Sequence, residues 1–293
     1  MTKDLWKMPT ILLLAFMAAV FLTPILVVFT NSFMSVFEIV NRYTHLVRAG
    51  NIFYSTETAT GVIHYVRITL IPYFASFEQY ISLFFDHPRY IGRFWNSVAL
   101  AVPIVIGHLL ISAPAAYAFH FSRLRFKEGV YFTYIIIMLV PLQVALVPNF
   151  IMAGWLGLME NRLAIILPAI VNPFGVFLIR QFLYGLTMDH FEAAQIDGAG
   201  HIRILVSVVA PMFKPALASL AILSFIENWN LVEQPLIFLT AAQEPLSVYL
   251  SQMANHHLDL IFAASFFYLL PTLLLFLFWK EHMVEGIMLS GVK

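Results

Sequence analysis

The sequence predicts an all-α polytopic membrane protein with six transmembrane helices and both termini cytoplasmic. Three observations carry this prediction. The 293 residues are 61% hydrophobic and 11% charged, against about 25% charged in ordinary soluble domains. A soluble core would not hide so much apolar surface, whereas a bilayer accepts it. Six stretches, at about 9–30, 96–119, 129–152, 162–184, 211–232 and 260–280, are apolar enough to cross, a span needing roughly 20 such residues. Lys and Arg, finally, are spread unevenly over the connecting segments.

The first stretch follows Lys3 and Lys7. Its apolar run exceeds a typical signal-peptide core and no small-x-small cleavage site follows, so it reads as an uncleaved anchor. Segment 31–95 is a long external connection rich in aromatics (Phe33, Phe37, Tyr43, Tyr65), with an amphipathic part around 74–85. It is too short for an independent enzyme domain. In the second stretch Ser112 and Ala116 form a small-xxx-small pair, which reads as helix packing. Pro141, Pro148, Pro168 and Pro173 interrupt the third and fourth stretches, and the carbonyls they free need protein or a water-filled cavity. Bending and packing are the plainer uses of such prolines.

Cytoplasmic loops carry the excess of Lys and Arg. Placing the N-terminus inside puts Lys3, Lys7, Arg123, Arg125, Lys127, Arg180, Arg203, Lys214, Lys280 and Lys293 on that side. Among the short external loops only Arg162 remains, and the rest fall in 31–95, long enough to translocate regardless of charge. The expectation is one transmembrane domain over 1–293, with a cytoplasmic segment at 186–210 and a cytoplasmic tail at 281–293. Equal numbers of acidic and basic residues point to no nucleic-acid partner, and the absence of cysteine removes disulfides and thiolate chemistry.

Segment 186–210 is a polar island in this apolar chain. Asp189 and Glu192 have capping-box spacing, so a short helix should start at Asp189. Ala193 and Ala194 favour helix without bulk, and Asp197-Gly198-Ala199-Gly200 should end it, since glycine accepts positive φ. A second helical stretch, 202–209, leads to Pro211, expected in the first turn of the fifth span. The plain reading of Glu192 alone is a helix cap. In register, however, Glu192, Ala193, Ala194, Gly198 and Pro211 resemble the E-A-A-x-x-x-G-x9-I-x-L-P signature of binding-protein-dependent ABC importer permeases, with Val208 and Ala210 where Ile and Leu are usual.

That resemblance implies the six-helix fold of type I importer permeases in a bacterial-type inner membrane. It implies that residues Glu192, Ala193, Ala194, Asp197, Gly198, Ala199 and Gly200 couple to an ATPase. The expected partners are a second homologous permease subunit, two ATP-binding subunits, an extracytoplasmic solute-binding protein and the lipid bilayer. No cofactor is expected on this chain; ATP and Mg would act on the partner ATPases. Trp95-Asn96-Ser97-Val98, residues 225–230 and 234–236, and the ending 285–293 are similar to carbohydrate-importer permeases, the last to the short maltose-transporter subunit. A sugar or oligosaccharide is the solute this implies.

For the path, Glu227, Asn230 and Gln234 have the spacing of one helical face, with Asn228 and Trp229 beside it. Amides and carboxylates hydrogen-bond hydroxyls and an aromatic face packs on a sugar ring. The alternative is that this stripe only caps a helix end at the outer interface. Gln143, Asn149 and Asn172 are secondary candidates. The loop at about 233–259 holds His256, His257 and Asp259, read as exposed polar residues before a metal site. No phosphate-binding loop, H-E-x-x-H or G-x-S-x-G occurs. An intramembrane enzyme therefore lacks a catalytic set, and a self-sufficient secondary transporter leaves the polar island unexplained.

Overall fold

The computed structural model describes the backbone of residues 7–49, 54–56, 63–65, 70–122, 124–185 and 189–291, and the side chains of 8–43, 70–122, 124–185, 190–253 and 257–281. The described elements, in chain order, open with α1 (Lys7–Asn31), α2 (Val36–Ala49), a two-stranded antiparallel hairpin of β1 (Tyr54–Thr56) and β2 (Ile63–Tyr65), and α3 (Glu78–Ile81), which widens into a π-helical turn over Ser82–Asp86. The middle holds α4 (Pro88–Phe121), α5 (Lys127–Met138), α6 (Leu142–Trp155), α7 (Leu163–Ile170), α8 (Pro173–Leu183), α9 (Asp189–Ile196), α10 (His201–Ile204) and α11 (Ala210–Met212). The last are α12 (Lys214–Trp229), α13 (Glu233–Phe238), α14 (Leu246–His256) and α15 (Ile261–Gly291). Helix dominates, as composition requires.

Among the described residues four spans are long and apolar enough to cross a membrane: Met8–Asn31, Pro88–Phe121, Leu163–Leu183 and Ile261–Glu281. Two bent pairs, α5 with α6 and the helix His201–Met212 with α12, bring the total to six when each pair is counted as one span. These match the six predicted stretches. The third stretch is not straight, because α5 and α6 meet at 100°. Pro141 takes an extended backbone (φ −61, ψ 143) ahead of α6, and a residue preceding proline is pushed out of the helical region.

The fifth stretch bends by 80°, and here one expectation is corrected. Pro215, not Pro211, occupies the opening turn of α12. Pro211 sits in α11, directly after a π-helical turn at Leu205–Val209. A proline has no N–H and its ring crowds the carbonyl four residues back, so a widened turn accommodates it. The polar island therefore reaches the membrane helix through a bend and not as a straight extension.

The chain divides into two compact units, Met1–Gly92 with Tyr249–Leu270, and Arg93–Val248 with Pro271–Lys293. In the first, α1 is apolar all round and exposed along most of its length, as a lipid-facing helix is. Behind it, fully buried Gln79 organises the unit. Its Nε2 donates to the carbonyls of Asn31 (2.8 Å) and Met34 (2.7 Å), and its Oε1 accepts from the Ala263 N–H (3.2 Å). One amide side chain thus satisfies three backbone groups, and the Tyr90 hydroxyl adds a bond to the Ala264 carbonyl (2.7 Å). The amphipathic stretch expected at 74–85 is helical over 78–86, whereas α2 was not foreseen.

Among the described residues of the second unit, buried apolar side chains gather in clusters. One gathers Ala116, Tyr131, Val176, Ile179, Phe191, Ile204, Phe213 and Leu220 around the α9 end of the helices. Another joins Leu100, Ile104, Ala153, Ile165 and Phe238. Ser112 and Ala116 are both buried, as the small-residue pair predicted, and the close partner is Gly175. A Cβ there would fall 2.9 Å from the Ser112 Cβ and 2.5 Å from His108 Nε2.

Candidate functional site

Helix α9 starts at Asp189, as expected, though the Asp189 side chain lies outside the described residues. Its end is a Schellman motif. The Ala199 N–H donates to the Ala194 carbonyl (3.0 Å), the Gly198 N–H donates to the Gln195 carbonyl (3.0 Å), and Gly198 takes φ +78. Only glycine holds that φ without strain. Ala194 and Ala199 turn partly inward against the apolar cluster, while Glu192, Ala193, Asp197, Gly198 and Gly200 stay exposed.

What pins α9 is a residue that the sequence reading passed over. Phe191 is buried and stacks on Phe121 at 4.2 Å and 16°, with Tyr117 at 6.2 Å. The Tyr117 hydroxyl also meets His201 Nδ1 at 3.0 Å, tying α4 to α10. The helix is thereby clamped on one side and bare on the other. The bare side carries Ile196 (86% exposed), and Ile202 on α10 is exposed as well (80%). A groove of about 870 Å3 lined by Tyr117, Phe121, Leu124, Glu192 and His201 among others opens beside it.

The predicted path residues divide. Helix α12 ends at Trp229, and Gln234 belongs to separate α13, so Glu227, Asn230 and Gln234 do not share one helical face. Asn230 closes α12 with its Nδ2 donating to the Ile226 carbonyl (2.7 Å). Glu227 and Asn230 are exposed, whereas Trp229 and Gln234 are buried. Trp229 stacks on Phe225 (5.2 Å, 20°) and meets Phe94 edge-on; its ring faces are engaged by protein. Asn228 turns back, donating to the Ser224 carbonyl at 2.7 Å. Gln143 reaches Glu233, a residue not predicted, at 3.2 Å, and Asn149 is half-buried on α6. Asn172 is the N-cap of α8, accepting from the Phe174 N–H (2.9 Å).

Two further polar centres lie inside the second unit. His108, almost fully buried in α4, has Nδ1 3.2 Å from Ser224 Oγ and Nε2 3.0 Å from the Asn172 carbonyl. Arg180 in α8 is buried too, paired with Glu128 at 2.6 Å and lying 3.8 Å over the Tyr131 ring. Positive-inside counting treated Arg180 as a loop charge. The structure makes it a packed one, held by an ion pair and a ring face while its Nε has no hydrogen-bond partner. Near the sixth span, the His257 ring packs on His87 (5.0 Å), and the His256 side chain lies outside the described residues. Among the described residues no three metal-ligating side chains converge.

Residues 108–284 match the family described as binding-protein-dependent transport system inner membrane component. The chain is 31% identical over 233 residues to the arabinooligosaccharides transport system permease protein AraQ of Bacillus subtilis, covering 78% of this chain and 83% of that one. It is 30% identical over 204 residues to the lactose transport system permease protein LacG of Rhizobium radiobacter, covering 68% and 74%. Among solved structures, a chain of a bacterial ABC transporter involved in the import of alginate superposes with TM-score 0.77 at 23% identity, covering 96% of this chain and 98% of that one. The fold is therefore that of an ABC importer permease. An anchored helix tip, six membrane-crossing helices or bent pairs and this sequence likeness agree: the chain belongs to the family of binding-protein-dependent transport system inner membrane components, as a membrane-embedded transport subunit and not an enzyme.

Proposed function

We propose that this chain forms half of the translocation path for a sugar or oligosaccharide, delivered by an extracytoplasmic binding protein and driven by ATP hydrolysis on partner subunits. One observation carries the coupling part: α9 is clamped through Phe191 yet presents Glu192, Ala193, Ile196 and Asp197 outward. A helix held on one side and bare on the other can receive a push and pass it to α4 and α10. The partner is an ATPase on the cytoplasmic side, where the Lys and Arg distribution puts residues 186–210. A second, homologous permease completes the path, two ATPases bind ATP and Mg, and the whole of 1–293 acts as one membrane domain.

The carbohydrate assignment is supported by relatives named for arabinooligosaccharides, lactose and alpha-glucosides, and a related permease is named for sn-glycerol-3-phosphate. Within the path, Glu227 and Asn230, with Gln143, supply hydroxyl-binding groups. Asn228, Trp229, Gln234 and Asn149 back them up and shape the wall.

The chain has no cysteine, which makes the test direct. A single cysteine placed by I196C in the assembled importer should cross-link to the ATPase in inverted membrane vesicles. Labelling of that cysteine only from the outer face, or its failure to join any ATPase, sinks the proposal. For the solute, calorimetry of the cognate binding protein against arabinooligosaccharides, lactose and glycerol-3-phosphate separates the sugar reading from the phosphate ester.

A further inference from the structure

The break between α7 and α8 lies within the Leu163–Leu183 span. Pro173 cannot donate to the carbonyl four residues back, and the chain turns at Val171 and Asn172. Carbonyls freed inside a membrane must find donors in protein or trapped water. The Ala169 carbonyl that Pro173 cannot reach accepts from the Asn172 N–H (3.3 Å), and the next two carbonyls at the break, those of Val171 and Asn172, each meet a side chain from another helix. The Tyr134 hydroxyl of α5 donates to the Val171 carbonyl (3.2 Å), and His108 of α4 stands 3.0 Å from the Asn172 carbonyl.

Hydrogen-bond logic fixes the tautomer. A carbonyl only accepts, so His108 Nε2 carries the proton, and Nδ1 accepts from the Ser224 hydroxyl at 3.2 Å. Ser224 Oγ in turn lies 3.4 Å from Asn228 Nδ2. A directed chain therefore runs from Asn228 through Ser224 and neutral His108 to the backbone at the break. Two glycines permit it. A Cβ at Gly107 would fall 2.6 Å from Ile170 Cγ2 on α7, and one at Gly175 would fall 2.5 Å from His108 Nε2 on the α8 side. Helix α4 thus touches both halves of the broken span like a splint.

We propose that His108, assisted by Tyr134, is a positioning residue for transport, bracing the α7–α8 break from α4 and tying it through Ser224 to α12. The two halves of the broken span and α12 then shift as one body when the importer changes state. This rests on the transport reading but not on the coupling role of α9. An ionisable side chain at membrane depth is a functional candidate by default, and a network with each member partnered in a fixed direction specifies one arrangement.

The test uses the full chain in nanodiscs and the importer assembled with its partners. Backbone hydrogen exchange at 172–176 should rise roughly tenfold in H108L, in line with the loss of one buried hydrogen bond. H108Q retains a donor and an acceptor and should restore most of the protection. Y134F removes one hydroxyl and should loosen the same residues a few-fold. Stimulation of ATP hydrolysis by the loaded binding protein should fall in H108L and recover in H108Q.

Unchanged exchange at the break in both H108L and Y134F overturns the proposal, as does an H108Q no better than H108L. A loosened break with normal stimulation reduces His108 to a structural brace and also overturns it. Should H108L fail to fold, Y134F decides alone. G198V acts on α9 and should leave exchange at 172–176 unaltered, so failure of the coupling reading is read separately.

Discussion

Gly198 offers the sharpest test of the coupling role proposed for α9. It holds φ +78, and a Cβ built on it meets nothing within 4 Å. Steric clash is therefore absent and the whole cost of a side chain is conformational. An L-residue in the left-handed region pays roughly 1–2 kcal/mol, with β-branched residues at the upper end, whereas Asn tolerates it. Opposing that strain are the two closing bonds, Gly198 N–H to Gln195 and Ala199 N–H to Ala194, both 3.0 Å and each worth about 1 kcal/mol net.

The balance ranks the variants. G198V sets about 2 kcal/mol of strain against about 2 kcal/mol of bonding, so open and closed turns should be nearly equally populated. G198A keeps about 1 kcal/mol in favour of the closed turn, a ratio of roughly 5. G198N should resemble the native chain. Hydrogen exchange of the 198 and 199 amides measures the populations, and ATP hydrolysed per solute imported measures the consequence. The expected order of uncoupling is Val, then Ala, then Asn. Equal protection in G198V and G198N would refute the argument, because φ would then not be the constraint.

Five further variants follow from the packing. G175A should lower the apparent Tm in detergent, since overpacking against Ser112 and His108 costs about 1–3 kcal/mol. G92A, with open space at its Cβ and a position inside α4, should be neutral or stabilising by at most about 1 kcal/mol. Q79L strands the Met34 carbonyl and the Ala263 N–H, about 1–3 kcal/mol for each orphan, and leaves the Asn31 carbonyl with the Met34 N–H alone, so folded yield in membranes should collapse; native yield would contradict the hub role. E128Q should cost only about 1 kcal/mol because Glu128 is 62% exposed. R180K should cost more by the same thermal assay, because an ammonium loses the planar stack over Tyr131.

Much of α9 is local and was readable in the residues. A short helix over Asp189–Ile196 and its end at Gly198 were legible, because helix propensity and positive φ are decided by near neighbours. The path was less legible. The spacing of Glu227, Asn230 and Gln234 assumed a continuous helix, whereas α12 stops at Trp229. Phe191 and His108 left no usable signal: an aromatic in a polar island and a histidine in an apolar run acquire meaning only from Phe121 and from the Asn172 carbonyl.

Composition and apolar run length determined that this chain inhabits a membrane, and the charges between runs are what assign its polar island an expected side. Those properties depend on transfer from water to hydrocarbon, which sums over a segment and needs no knowledge of neighbours. Tertiary structure decided which polar groups stay available. Arg180 is spent on Glu128 and two tyrosines, Trp229 on Phe225 and Phe94, and His108 on the broken span, while Ile196 is left bare. Availability is a property of contacts between segments distant in sequence, set by which helices approach closely enough to supply a partner.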